Sequence, residues 1–131
     1  MRYLNWCGYD LKGKDVCIFG RSETVGRPLA RMMVDADATV TLCNRYTDNV
    51  YRHAFAADLI VTAVGKPKFL NCYPIHVPVI DVGINFDENG KICGDCINTE
   101  NRDVTPVPGG VGLMTRCMLL ENVIKCKEMS L

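Results

Sequence analysis

Two stretches of this chain combine glycines with residues able to hold a phosphorylated ligand. The first is Gly20-Arg21-Ser22-Glu23-Thr24-Val25-Gly26-Arg27-Pro28, directly behind the apolar run Asp15-Val16-Cys17-Ile18-Phe19. Glycine at that point permits a tight turn, and free N–H groups at a helix start attract a pyrophosphate. Ser22 and Val25 stand where G-x-G-x-x-G has its second and third glycines. Five residues separate Gly20 from Gly26, and Arg-Pro follows instead of Lys-Ser/Thr, so it is not a P-loop either. Read alone, the segment fits an ordinary strand–turn–helix as well as a phosphate loop.

The end of the next strand discriminates further. Dinucleotide sites for NAD place Asp or Glu there, against the ribose 2′-hydroxyl. This chain has Cys43-Asn44-Arg45, a cation and no carboxylate. Arg21 and Arg45 together suit a 2′-phosphate, which a guanidinium binds as a planar fork. The expected cofactor is therefore NADP rather than NAD; the competing reading leaves Arg45 a solvated loop residue.

The second stretch is Thr105-Pro106-Val107-Pro108-Gly109-Gly110-Val111-Gly112. Prolines stiffen the approach and three glycines follow, more than a plain connector needs, which favours close backbone approach to a ligand. A helix expected from Met114-Thr115 onwards points its N-terminal amides back at this loop.

Other reactive residues form no constellation. Cys93-Gly94-Asp95-Cys96 has redox or metal spacing, but no second CxxC or HxxxH accompanies it. It follows the turn Glu88-Asn89-Gly90 into a strand, whereas a thioredoxin-type pair opens a helix. Incidental thiols are the favoured reading, and no metal site is expected. His53 and His76 lack an identifiable acidic or nucleophilic partner and read as structural or exposed.

These segments need elements to position them. Asp15–Phe19 reads as a buried strand and residues 28–35 as a helix opened by Pro28. Thr39–Cys43 reads as a second strand, and Thr47 or Asp48 as the cap of a short helix ending near Ala56. Residues 59–64 and 78–82 supply further strands, and residues 103–106 a short fifth. Residues 114–129 read as an amphipathic helix, with Cys117, Leu120 and Ile124 apolar and Glu121, Lys125 and Glu128 polar. Strands alternating with helices imply an α/β fold: a doubly wound, mainly parallel sheet with helices on both faces.

Composition bounds the partners. The 131 residues suit one domain, and 48% hydrophobic with 23% charged residues is a globular balance. Fifteen basic residues against fifteen acidic ones create no field toward nucleic acid or a membrane surface. The N-terminus shows no apolar signal segment, and residues 59–64 are too few to span a bilayer. Eight cysteines without a secreted, loop-dominated pattern read as reduced thiols, so a cytoplasmic location is expected.

Several motifs occurring in order carry a family resemblance. They are Gly20-Arg21-Ser22-x-x-Val25-Gly26-x-Pro28, Ala38-Thr39-Val40-Thr41, Ala63-Val64-Gly65-Lys66-Pro67, Val79-Ile80-Asp81-Val82-Gly83-Ile84-Asn85, Gly94-Asp95 and residues 105–112. Together they resemble the C-terminal, NADP-binding half of methylenetetrahydrofolate dehydrogenase/methenyltetrahydrofolate cyclohydrolase, from about Gly8 to the last helix. The resemblance implies a Rossmann-like domain covering residues 1–131, with the N-terminal folate-binding half absent. It implies hydride transfer from methylenetetrahydrofolate to NADP, then hydrolysis of the methenyl form to formyltetrahydrofolate.

By the same resemblance Gly20, Arg21 and Ser22 hold cofactor phosphates, with Arg21 near the 2′-phosphate. Ile84 and Thr115 lie at the nicotinamide end, and Pro108, Gly109, Gly110, Val111 and Gly112 close on the folate side. Asn44-Arg45 departs from the family's usual His-Ser, and Leu113 replaces a proline. The family's catalytic lysine and tyrosine belong to the N-terminal half. Lys14, Lys66 and Lys68 match neither, so no catalytic residue is assigned. The expectation is NADP binding with little or no turnover by the chain alone, and folate binding only with an N-terminal half or partner chain. The alternative is a non-catalytic NADP-binding module acting with a separate folate-binding partner. A homo-oligomer is also open, because the face that normally packs on the missing half would be exposed.

Overall fold

The computed structural model describes residues 1–71, 73, 74, 76–97 and 103–129. Helix α1 (Arg2–Trp6) leads into β1 (Asp15–Phe19), α2 (Gly26–Val34), β2 (Thr39–Cys43), α3 (Val50–Phe55), β3 (Leu59–Thr62) and β4 (Val79–Asp81). A two-stranded hairpin follows, β5 (Asn85–Phe86) with β6 (Ile92–Cys93), and then the long α4 (Val111–Met129). Four parallel strands pair in the order β2-β1-β3-β4. The fifth strand expected at residues 103–106 reduces to one parallel bridge, Val79 with Val104.

The strands form because their apolar residues fill both faces of the sheet, as parallel sheets require. Val16, Ile18, Leu59 and Val61 pack with Met33 of α2 and Leu4 of α1 on one face. Cys17, Phe19 and Ile60 pack with Ala54 of α3, Leu70 and Tyr73 on the other. The doubly wound α/β expectation is met.

Two helix boundaries differ from the sequence reading. The cap of α3 is Asn49, not Thr47 or Asp48: its side chain accepts the Arg52 N–H while its backbone sits at φ 44°. Asparagine tolerates that left-handed conformation better than its neighbours would. Helix α4 begins at Val111 rather than Met114, so Val111 and Gly112 belong to its first turn. Its expected amphipathic packing is also overturned. None of its residues is buried, and Leu120 and Ile124 are 67% and 59% exposed. The better shielded row is Met114, Met118 and Glu121, on the side where α4 meets α1 and Glu121 accepts from Arg2 at 2.7 Å. Apolar residues surround α4, so periodicity could not select a face.

Candidate functional site

The sheet reverses its winding between β1 and β3, the point where open α/β sheets take ligands beyond their strand ends. There the chain is packed backbone on backbone. Gly20 has φ +108°, and a Cβ on it would overlap the Ala63 carbonyl at the end of β3. A Cβ on Gly26 would overlap the carbonyl of Gly20. The turn between β1 and α2 therefore lies flat on the sheet end. Ser22 Oγ accepts from the Val25 and Gly26 amides at 3.1 and 3.4 Å, and the Ser22 carbonyl accepts from Arg27 at 3.0 Å. Ser22 thus caps the start of α2, and Arg21 stands exposed beside it.

At the end of the neighbouring β2, Asn44 and Thr47 build a local turn. Asn44 Oδ1 accepts from Tyr46 N at 3.0 Å, and Thr47 Oγ1 accepts from Asn44 N at 2.9 Å. That turn presents Arg45 outward with its guanidinium 4.6 Å over the exposed Tyr46 ring, where it also donates to the phenol oxygen. Among the described residues neither Arg21 nor Arg45 forms a salt bridge.

A groove of about 670 Å³ runs from Val25 past the end of β4 to the start of α4. Its walls bring together Ile84, Thr115 and all five of Pro108, Gly109, Gly110, Val111 and Gly112. Arg21, Ser22 and Arg45 lie outside this lining, at the adjoining strand ends. Gly109 takes φ +106°, the Val107–Pro108 peptide is cis, and Gly110 lies so close to the Pro106 carbonyl that a Cβ would crowd it. Thr115 Oγ1 donates to the Val111 carbonyl at 3.0 Å within α4. The groove's size lies within the roughly 300–1,000 Å³ of small-molecule and cofactor sites, and its walls are mainly apolar. The residues present therefore fit a dinucleotide, with guanidiniums at one end and an apolar cleft at the other.

Beneath the groove lies a polar cluster that sequence reasoning left without a role. Asp95 is fully buried and accepts from Thr62 Oγ1, Val64 N, Gly65 N, Lys66 N and Asn85 Nδ2, at 2.6 to 3.2 Å. Asp81, 3% exposed, accepts from the amides of Gly83, Asp95 and Cys96 at 2.9, 3.1 and 2.8 Å. Its own amide donates to Thr105 Oγ1 at 2.8 Å. Burial raises the Asp81 carboxyl above the ordinary carboxylate range, against the lowering effect of those three amides. Burial and the Asp81 charge push the Cys96 thiol up as well, which keeps it neutral. The signal in the sequence was the glycine beside each aspartate. A Cβ on Gly83 would overlap the Asp95 carboxylate, and one on Gly94 would overlap that of Asp81.

The remaining candidates stay apart from the groove. His53 lies on α3 and His76 is exposed, while Lys66 and Lys68 are exposed and Lys14 is half-buried. Cys96 is buried and Cys93 partly so, and no metal-binding cluster occurs among the described residues. Among those residues no helix is long and apolar enough to cross a membrane.

Comparison with known proteins agrees with this geometry. The family described as tetrahydrofolate dehydrogenase/cyclohydrolase, NAD(P)-binding domain, matches residues 1–131. The bifunctional protein FolD of Dechloromonas aromatica is 47% identical over 126 residues, covering 91% of this chain and 44% of that protein. FolD of Bacillus subtilis is 43% identical over 128 residues, covering 93% and 45%. The crystal structure of FolD from Campylobacter jejuni superposes with a TM-score of 0.91 at 44% identity, covering 98% of this chain and 48% of that one. The Trypanosoma brucei enzyme, solved with NADP cofactor and an inhibitor, gives 0.89 at 32% identity, covering 99% and 48%. The chain spans about half the length of the curated relatives it matches.

Proposed function

Because the chain belongs to the family of tetrahydrofolate dehydrogenase/cyclohydrolase NAD(P)-binding domains, we propose that it binds NADP and serves as the cofactor half of a methylenetetrahydrofolate dehydrogenase/cyclohydrolase. The observation that carries this reading is the continuity of the glycine-tightened turn at Gly20 with the groove lined by Ile84, Gly110 and Thr115.

Bound NADP supplies the hydride acceptor. The chain's own residues bind and orient it. Arg21, in the turn after β1, receives phosphate charge as guanidiniums do, while the first amides of α2 are already taken up by Ser22. Arg45 meets the 2′-phosphate and is held in place by Tyr46. Ile84 and the carbon skeleton of the 106–112 loop exclude water from the nicotinamide end, and Thr115 offers its hydroxyl there. Holding the ring in one orientation is most of what a cofactor domain contributes to hydride transfer.

Proton transfer needs acid–base groups that this half does not supply at the groove, so the folate substrate and the catalytic lysine and tyrosine come with a folate-binding half. The alternative, a non-catalytic NADP-binding module working with a separate folate-binding partner, is favoured by the exposed apolar side chains of α4. Calorimetric titration tests the core of both readings: NADP binds and NAD binds more weakly. Absence of heat with either dinucleotide overturns them. Dehydrogenase assays of the chain alone and mixed with a folate-binding half then separate the cofactor half from the module. Turnover that returns only on mixing supports the former.

A further inference from the structure

Among the described residues two charged groups line the groove, Asp81 and Arg116, and of these only Asp81 is buried. Asp81 also borders a second cavity of about 560 Å³ on the hairpin side. Among the described residues the hydrogen-bond donors that reach its carboxylate are neutral: the amides of Gly83, Asp95 and Cys96, and the Thr62 hydroxyl at 3.5 Å. Thr62 lies closer to Asp95, at 3.0 Å, and a hydroxyl has one proton to give. Among the described residues no lysine, arginine or histidine lies within salt-bridge distance of Asp81. Buried charges are ordinarily paired, so an unpaired one bordering a ligand groove points to a ligand.

The two forms of the cofactor differ at the nicotinamide ring. The oxidised ring carries a positive charge and the reduced ring carries none. Resting on the reading that the nicotinamide occupies the Ile84–Thr115 end, we propose that Asp81 supplies a negative charge under that ring and makes the domain hold NADP+ more tightly than NADPH. Such a preference favours loading of the hydride acceptor and release of the reduced product. It is a specificity role, since Asp81 exchanges no proton with the substrate.

Other charged and titratable groups face Asp81. Arg116 borders the groove; Lys68, Asp87, Glu88 and Cys93 border the hairpin-side cavity; Asp95 and Cys96 touch it directly. Arg116 is exposed on α4, and Asp95 already has five donors. Asp81 is therefore the negative charge on the groove wall, with no cation within salt-bridge distance among the described residues.

The test is a pair of fluorescence titrations giving Kd for NADP+ and for NADPH. The wild type binds NADP+ more tightly. In Asp81→Asn the ratio of the two constants shifts toward NADPH by about tenfold, the scale of one elementary charge acting across a groove wall. An independent arm needs no variant: in the wild type the preference weakens as pH is lowered until the carboxylate gains its proton, an event that burial shifts upward from the ordinary carboxylate range. The 2′-phosphate titrates alike in both forms and cancels in the ratio. If the wild type binds both forms and neither substitution nor pH moves the ratio, the charge role is overturned and the cofactor reading survives. If the wild type binds neither form, both fall. If Asp81→Asn fails to fold, the pH arm decides.

Discussion

Asp95 and Asp81 are joined through the main chain: the Asp95 amide donates to Asp81 Oδ1 at 3.1 Å while its own carboxylate gathers the loop after β3. Through this pair the ends of β3 and β4, the hairpin and the 105–112 loop share one buried polar network. Removing an acceptor there leaves several donors dry, which costs about 1–3 kcal/mol each.

Asp95→Ala, by that account, lowers unfolding free energy by about 4 kcal/mol or prevents folding, whereas Asp95→Asn is milder because one oxygen remains. Urea denaturation followed by circular dichroism measures both. Equal, small losses in the two variants would contradict the network's role.

Asp81 gives stability a pH dependence of defined sign. Its carboxyl is raised in the folded chain above the ordinary 3.8. The native state therefore holds the proton more tightly than the unfolded state, and stability from this group falls as pH climbs from about 4 through the raised value. Asp81→Asn removes that decline. Comparing the urea midpoints of wild type and variant across the window checks it: their difference should change most above pH 4, with the wild type gaining on acidification.

The glycines divide into two classes that alanine scanning separates. Gly20→Ala and Gly26→Ala each force a Cβ into a backbone carbonyl, so each should cost more than about 2 kcal/mol and abolish dinucleotide binding. Gly90→Ala, at φ +73° in the hairpin turn with open space around it, should cost about 1 kcal/mol and leave binding intact. Thermal melts and calorimetry on the three variants suffice.

Arg45 should govern the choice of cofactor rather than the fold. Arg45→Ala is expected to weaken NADP binding about tenfold while leaving NAD nearly unchanged, with Arg45→Lys intermediate because it keeps charge but loses the fork. Loss of affinity for both dinucleotides alike would remove the 2′-phosphate assignment.

Strands β1, β3 and β4 were legible as short apolar runs bounded by turn residues, which a sheet covered on both faces leaves no other place, and β2 as a β-branched run. Ile84 and Thr115, which we propose at the nicotinamide end, were legible as a pair only through the family's motifs, since 31 positions separate them in the sequence. Asp81 and Asp95 both stand in those motifs, yet nothing local says that residues 14 apart share hydrogen bonds. Helix α4 misled in the opposite way: its pattern looked one-sided, but the face with Leu120 and Ile124 meets solvent in this chain.

The contact at Gly20 has a mechanical side. Ala63, Gly20 and Gly26 stack main chain against main chain, with no side chain between them to yield. Interiors packed at crystal density transmit strain, and backbone is their least compressible part. The end of β3, the turn and the first turn of α2 thus form a stiff bracket, and its β3 arm runs straight into the loop that Asp95 ties to the hairpin. A push on the turn at Gly20 has no soft element in which to dissipate before it reaches the hairpin.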